Sequence, residues 1–225
     1  MEKRSIAIDG PSSAGKSTLA RLTAQKFGLI YVDTGALYRT VGLYVLKNGV
    51  ASKDEAAVTA LLPEIHLEMR YDPSGVQRMI LNGTDVTDEI RLPEASIYAS
   101  DVSAMAPVRA FLLSMQREIA STYDVVMDGR DIGTVVLPNA GLKIFLTAET
   151  DVRARRRYEE LCVKGIDTTL NDVRRDLVYR DENDTSRQNA PLKAAVDAVL
   201  LDTTDMTLDD TLLRIQGLAQ ERLGL

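Results

Sequence analysis

The sequence holds one cysteine, one histidine and no tryptophan, and these scarcities exclude several kinds of chemistry. With Cys162 alone, the chain forms no internal disulfide and no cysteine-cluster metal site. With His66 alone, histidine-based triads and metal sites lose their usual residue. Catalysis must therefore use lysine, arginine, aspartate, hydroxyl groups and the backbone. We expect Cys162 to be a buried or half-buried thiol rather than a reactive one.

Long apolar runs and an excess of positive charge are also missing. No run of about 18 apolar residues occurs, so the sequence predicts no membrane span. Met1 leads directly into a strand-like segment without a signal peptide, and we expect a cytoplasmic protein. The net charge of −6 argues against general binding to nucleic acid or to anionic membranes, but it leaves room for a local cationic pocket. The length of 225 residues suits one large domain, or one domain with inserts.

Five short apolar segments predict the strands of a parallel sheet. They lie at 5–9, 29–33, 125–128, 143–146 and 198–202, and their continuous apolar character is typical of strands buried on both faces. Helix-length segments separate them, at 16–27, 35–48, 107–122, 150–164, 169–184 and 207–223. This alternation predicts an α/β fold. Four of the five strands end on aspartate, at the edge where such sheets bind ligands.

Residues 65–90 depart from this alternation of strand-like and helix-length segments. The stretch "IHLEMRYDPSGVQRMILNGTDVTDEI" contains two turn signals, at 72–75 and at 82–83, with alternating strand-like pieces between them. Such a pattern predicts a small antiparallel hairpin or a three-stranded insert.

The first predicted strand runs into a phosphate-binding loop. Residues 10–17, "GPSSAGKS", match the pattern G-x-x-x-x-G-K-[ST] completely. Glycines let the backbone point its N–H groups at phosphate oxygens, and the helix that follows adds its positive end. Lys16 can span the β- and γ-phosphates, and the Ser17 hydroxyl can bind Mg²⁺. The predicted ATP-binding residues are Gly10, Pro11, Ser12, Ser13, Ala14, Gly15, Lys16, Ser17 and Thr18.

Polar clusters follow two other predicted strands. "DTGALYR" presents Asp33 and Thr34 at the end of a predicted strand, and Tyr38 and Arg39 about one helical turn later. Each such residue alone could be a cap or a turn residue. Two clusters beside a complete phosphate loop favour a second, anionic substrate.

The second cluster, "MDGRDIGTVV", contains three residues with distinct candidate roles. Asp128 is the candidate carboxylate behind Mg²⁺. Arg130 could bind a phosphate through two hydrogen bonds, and Asp131 could accept from an exocyclic amine.

At this point the chain resembles the bacterial type of cytidylate kinase, a family of nucleoside monophosphate kinases. The matching segments are "DGPSSAGKST", "DTGALYR", "ASDVSAMAPVR", "DGRDIGTVV" and "DENDTSRQNAPL", in the family's order. The resemblance implies a P-loop three-layer α/β sandwich with a five-stranded parallel sheet, an NMP-binding region carrying the β insert, and a short helical lid. It implies a core at 1–34, 103–150 and 188–225, an NMP-binding region at about 35–102 and a lid at about 151–187.

The resemblance also implies an activity and a set of site residues. The activity is transfer of the ATP γ-phosphoryl group to CMP or dCMP with Mg²⁺, by a monomer. Thr34, Arg39, Arg109 and Arg130 would hold the acceptor phosphate or its surroundings, with Asp33 and Tyr38 beside them. Ser100 and Asp131 would read the cytosine edge, while Asp184 and Arg187 would reach the pentose. Thr34 stands where some members have serine, and Ser17 where others have glycine.

Residues 149–187 are rich in arginine, yet they hold nine basic and ten acidic residues. Two helices joined near Gly165 predict a closing lid that excludes water. We hypothesise that Arg157 and Arg180 contact the phosphates when the lid is closed. For any single arginine here, an ion pair on a solvated helix face is the more common arrangement. No general base is needed, because the acceptor phosphate is already ionised at pH 7.

Two other interpretations remain open on the residues alone. One is a different small kinase, acting on both UMP and CMP, on AMP or on a shikimate-like acceptor. The other is a nucleotide sensor or GTPase-like switch, although the chain lacks an Asn-Lys-x-Asp guanine motif.

Overall fold

The computed structural model describes residues 3–225, so Met1 and Glu2, which begin the predicted core, lie outside the described residues. The chain divides into two compact units. We call the part up to Tyr31 together with the part from Ile119 onward the core unit, and Val32–Glu118 the insert unit.

Within residues 3–225 the chain forms eight strands and eight α-helices. The strands are β1 Ser5–Asp9, β2 Ile30–Asp33, β3 Leu67–Tyr71, β4 Gln77–Leu81, β5 Thr84–Asp85, β6 Val125–Gly129, β7 Leu142–Thr147 and β8 Val199–Asp202. The helices are α1 Lys16–Phe27, α2 Thr34–Lys47, α3 Glu55–Leu61, α4 Pro93–Val102, α5 Ala106–Thr122, α6 Thr150–Val163, α7 Leu170–Ser186 and α8 Leu208–Leu223.

The large sheet has the strand order β2-β6-β1-β7-β8 and is parallel. In its centre Ile6 of β1 lies opposite Val126 of β6 and Leu142 of β7. The central strands are buried on both faces, as their continuous apolar sequence predicts. Side chains of α1 and α8 complete this apolar core, among them Leu19 and Ile215. The predicted five-stranded parallel α/β sandwich is confirmed.

The insert unit contains the second, antiparallel sheet, with the order β3-β4-β5. Asp72 accepts hydrogen bonds from the backbone N–H groups of Ser74 and Val76, which forms the first turn. Asn82 and Gly83 both have positive φ, as a tight hairpin turn requires. The predicted three-stranded insert is therefore confirmed.

The structure adds elements that the sequence patterns did not predict. α3 is only seven residues long, and α4 begins directly at Pro93. α2 starts one residue earlier than predicted, at Thr34, because the Asp33 carboxylate accepts from the N–H of Ala36 and caps the helix. Among the described residues, no helix combines the length and the hydropathy needed to cross a bilayer.

Gly10 offers a direct test of how the phosphate loop leaves β1. Its φ is +149°, and a Cβ built on it would lie 2.1 Å from the backbone oxygen of Leu146. We expect Gly10→Ala to lower the free energy of unfolding by about 2–4 kcal/mol, measured by urea denaturation.

Gly28→Ala is the matched control for this prediction. Gly28 also has positive φ, but a Cβ built on it would meet no atom of residues 3–225 within 4 Å beyond its chain neighbours. Gly28→Ala should lower the free energy of unfolding by about 1 kcal/mol, which is the strain of the backbone conformation alone. Equal costs for the two variants would contradict the steric explanation.

Candidate active site

The phosphate loop connects β1 to α1 with a backbone that bends sharply. Gly10, Ser13 and Gly15 all have positive φ. Gly15 precedes the first helical residue, and no side chain within residues 3–225 caps this helix start. The first N–H groups of α1 therefore face the loop without a side-chain acceptor, an arrangement suited to an anionic ligand.

Lys16 lies buried under this loop. Its Nζ donates a hydrogen bond of 2.6 Å to the carbonyl oxygen of Pro11. Burial, and then the positive charge of Arg130, lowers the pKa of Lys16 to about 7, although nearby carboxylates favour its charged form. A phosphate bound beside Lys16 would supply the missing negative charge.

Ser17 and Asp128 meet at the carboxyl end of the sheet. The Ser17 hydroxyl donates to Asp128 Oδ2 at 2.9 Å, and the Tyr31 hydroxyl donates to Asp128 Oδ1 at 2.9 Å. A loop hydroxyl beside a strand-end carboxylate is the donor set with which P-loop enzymes hold Mg²⁺. Within the described residues no group of three or more carboxylate, histidine or cysteine side chains could hold a metal by itself. The residues present therefore fit an ion that completes its coordination with phosphate oxygens and water.

Two arginines and two aspartates form a buried network in the core unit. Arg130 binds Asp184 Oδ2 through Nε at 2.7 Å and donates from Nη2 to the Ser12 hydroxyl at 2.8 Å. Arg187 Nη2 contacts Asp131 Oδ1 at 3.3 Å, and its Nη1 lies 3.7 Å from Asp184 Oδ1. Burial alone would raise the pKa of Asp184, but Arg130 and Arg187 outweigh it and hold that pKa below its ordinary value. The network ties the phosphate loop to β6 and α7.

Asp9 connects the end of β1 to the turn that follows β6. Its carboxylate accepts from the N–H groups of Ile132 and Gly133 at 2.8 and 2.7 Å. Burial raises the pKa of Asp9 to about 6, despite these two hydrogen bonds. The aspartate that ends β1 thus fixes the segment that follows Asp131. The sequence pattern identified Asp9 as the end of a predicted strand, but it did not predict these two hydrogen bonds, because residues 132 and 133 lie far away in the chain.

The insert unit gathers a second set of predicted residues around the start of α2. Arg39 Nη2 binds Asp33 Oδ2 at 2.7 Å, and Thr34 is buried. Burial would raise the pKa of Asp33, but Arg39 and then Arg91 outweigh it and lower that pKa. The guanidinium of Arg109 lies over the Tyr38 ring, 5.6 Å from its centroid.

Ser100 lies on α4 in the same unit and is buried. Arg109 donates to the carbonyl oxygen of Ser103, just past the end of that helix. The predicted acceptor-side residues of this unit thus belong to the end of β2 and to α2, α4 and α5.

The arginine-rich helices α6 and α7 pack on each other through a small apolar cluster that includes Leu161 and Leu177. Arg157 pairs with Glu160 at 2.8 Å, and Arg180 is half-buried. Cys162 is exposed, so the expectation of a buried or half-buried thiol is wrong. The physical reason is that the apolar side of α6 is narrow, and Cys162 falls beside Leu161 outside it.

Arg153 is the arginine of this region that sequence reasoning missed. It is buried, and it donates to the carbonyl oxygens of Ser12 and Ala148 at 3.0 and 2.8 Å. It also pairs with Asp181 of α7 at 2.7 Å. Arg153 therefore links the phosphate loop to both arginine-rich helices. Nothing in the sequence distinguishes it from its neighbours in the run 153–157.

A family model described as cytidylate kinase matches residues 6–221. The chain belongs to the cytidylate kinase family. It is 49% identical over 220 residues to a cytidylate kinase of Leuconostoc mesenteroides, with 97% of each chain covered. It is 47% identical over 215 residues to a cytidylate kinase of Caldicellulosiruptor bescii, with 96% of this chain and 95% of that protein covered. The family resemblance predicted from the motifs is confirmed.

Solved structures agree on the fold of this family member. A gluconokinase from Sinorhizobium meliloti aligns with a TM-score of 0.50 at 15% identity and covers 99% of this chain and 95% of its own. An uncharacterized protein from Eubacterium ventriosum aligns with a TM-score of 0.53 at 13% identity, covering 98% and 99%. At such identities the likeness concerns the fold alone.

The site residues predicted for this family member fall into two groups. In the core unit are the loop 10–18, Asp128, Arg130, Asp131, Arg157, Arg180, Asp184 and Arg187. In the insert unit are Asp33, Thr34, Tyr38, Arg39, Ser100 and Arg109. Their roles toward ATP and CMP stay predictions.

The lowered pKa of Lys16 makes nucleotide binding depend on pH. Below about pH 7 Lys16 is charged before binding, whereas above it the neutral amine must take up a proton as the phosphates arrive. We expect ADP binding at pH 8 to take up about 0.5–1 proton, measured by titration calorimetry in buffers of different ionisation enthalpy. Lys16→Arg is the control, because its guanidinium is charged throughout and should take up none. An equal proton uptake by both proteins would contradict the assignment to Lys16.

Proposed function

We propose that this chain transfers the γ-phosphoryl group of ATP to CMP or dCMP, giving ADP and the pyrimidine diphosphate. The observation that carries the proposal is the family match over residues 6–221, which spans the phosphate loop and both polar clusters. The contacts of the loop support it, since Lys16 and the Ser17–Asp128 pair are the groups that P-loop kinases use toward ATP and Mg²⁺.

The donor side consists of the loop 10–18. Its backbone N–H groups bind the β- and γ-phosphates, and Lys16 stabilises the charge that moves as the phosphoryl group is transferred. Ser17 and Asp128, which contact each other, would hold Mg²⁺, directly or through water. When bound, the ion neutralises phosphate charge and orients the oxygens for in-line transfer.

The acceptor side needs cations for one phosphate and polar groups for one base. Arg39, Arg109 and Arg130 bind the acceptor phosphate together with the Thr34 hydroxyl. Arg130 binds Asp184 and Ser12, so its guanidinium is already held in one orientation. Such positioning lowers the barrier without a general base, because the attacking oxygen is ionised at neutral pH.

The base is recognised by Ser100 and Asp131, and the pentose by Asp184 and Arg187. Cytosine carries an amine donor where uracil carries an acceptor, so a carboxylate such as Asp131 favours cytosine. Arg187 Nη2 donates to Asp131 Oδ1 at 3.3 Å, and this contact fixes the orientation of the carboxylate.

Arg157 and Arg180 contact the phosphates when α6 and α7 close over them. Residues 151–187 then form the lid, and residues 35–102 form the NMP-binding region. The remaining residues, 1–34, 103–150 and 188–225, form the predicted core, which differs from the core unit defined above. We expect a monomeric, cytoplasmic enzyme that binds neither nucleic acid nor membranes, in keeping with the net charge of −6.

An acceptor panel tests this function. ADP release from ATP with Mg²⁺ is measured with CMP, dCMP, UMP, AMP, shikimate and no acceptor. We expect CMP and dCMP to give kcat/KM values at least about tenfold above the others, because uracil and shikimate offer no exocyclic amine to Asp131 and the two-ring adenine is larger than a pyrimidine. Asp131→Ala should reduce the preference of CMP over UMP about tenfold or more.

Asp197→Ala is the matched control. Asp197 is an exposed partner of Lys143, and its removal should leave the preference unchanged. ATP turnover that does not depend on CMP would refute the proposed function and favour a nucleotide switch.

A further inference from the structure

Gln77 occupies a position where the pattern of β4 calls for an apolar residue. Residues 77, 79 and 81 share one face of the strand, and Met79 and Leu81 belong to the apolar core of the insert unit. Gln77 is only 5% exposed. A buried side-chain amide is costly unless its polar atoms form hydrogen bonds. Its partners therefore indicate why it is there.

Both polar atoms of the Gln77 amide bind the backbone of one residue. The Asp33 N–H donates to Gln77 Oε1 at 2.8 Å, and Gln77 Nε2 donates to the Asp33 carbonyl oxygen at 3.2 Å. Nε2 also lies 3.3 Å from the sulfur of Met79. The side chain thus pairs with Asp33 as a neighbouring strand would, and it ties the middle strand of the insert to the end of β2.

Asp33 is the residue on which the start of α2 depends. Its carboxylate caps the helix at Ala36 N and binds Arg39 at 2.7 Å. Thr34 follows it directly in the chain. A shift of the Asp33 backbone would therefore move both the hydroxyl and the guanidinium assigned to the acceptor phosphate.

We propose that Gln77 is a positioning residue through which the three-stranded insert fixes Asp33, and with it Thr34 and Arg39, for the acceptor phosphate. The inference rests on the proposed function and deepens it, because it gives the insert a role in acceptor binding. The hydrogen bonds of Gln77 to Asp33 lie within the insert unit, whereas the phosphate loop belongs to the core unit. Loss of these hydrogen bonds should therefore weaken the binding of CMP and leave the binding of ATP unchanged.

The test replaces the amide while keeping its volume. Gln77→Met loses both hydrogen bonds to Asp33, and Gln77→Asn keeps an amide that is one methylene too short. KM and kcat are measured separately for CMP and ATP, and the Kd of CMP is measured by titration calorimetry. We expect Gln77→Met to raise the KM and Kd of CMP about 5- to 20-fold, with the KM of ATP within twofold of wild type. The KM and Kd of CMP for Gln77→Asn should lie between those of wild type and Gln77→Met. If Gln77→Met does not fold, the values for Gln77→Asn test the proposal.

Thr87→Val is the structural control. The buried Thr87 hydroxyl accepts from the N–H of Met79 in the same sheet. If Thr87→Val lowers the Tm as much as the Gln77 variants do, it should still leave the KM of CMP within twofold of wild type. The inference is overturned if the Gln77 variants bind CMP as wild type does, or if Thr87→Val weakens CMP binding equally. A wild-type protein with no CMP-dependent ADP release would overturn the proposed function itself.

Discussion

The carboxylate of Asp9 is the point on which the core unit's chemistry depends. It ends β1, directly before the glycine that opens the phosphate loop, and it accepts from the two N–H groups that follow Asp131. One buried side chain thus fixes the loop that leaves β1 relative to the turn that leaves β6. Lys16, which we predict to bind the ATP phosphates, follows the first of these turns, and Arg130 and Asp131, which we predict to bind CMP, stand on the second, so this contact constrains their spacing.

Paired charges provide the second constraint. Arg130 and Arg187 are held by Asp184 and Asp131 in the core unit, and Arg39 is held by Asp33 in the insert unit. Buried pairs of this kind contribute little net stability, but removal of one partner leaves the other charge buried and costs about 3–5 kcal/mol. They keep each arginine in one orientation, which is the property that phosphate recognition requires.

The sequence predicted the parallel sheet, the phosphate loop and the β insert because each has a strong local signal: continuous apolar strands, a complete glycine-lysine motif, and the turn at Asn82–Gly83. It did not predict the roles of Asp9 or Gln77, since both depend on partners 44 or more positions away in the chain. Nor did it distinguish Arg153 from its neighbours, because burial selects that arginine and the local pattern does not. The expectation of a buried or half-buried Cys162 was wrong for the same reason.

Asp9→Asn shows whether the Asp9 carboxylate sets the geometry of the core unit's site, through its effect on CMP phosphorylation. The side-chain oxygen of an asparagine can accept a hydrogen bond from only one of the two N–H groups. Its NH₂ group then faces the other N–H group and cannot accept from it. We expect kcat/KM for CMP to fall about 100-fold, as misplacement of catalytic groups by about 1 Å would cause. Asp124→Asn, the same change at a carboxylate that pairs with Arg4 elsewhere in the core unit, should stay within about threefold of wild type. An Asp9→Asn enzyme with wild-type kcat/KM would show that the Asp9 carboxylate does not set this geometry.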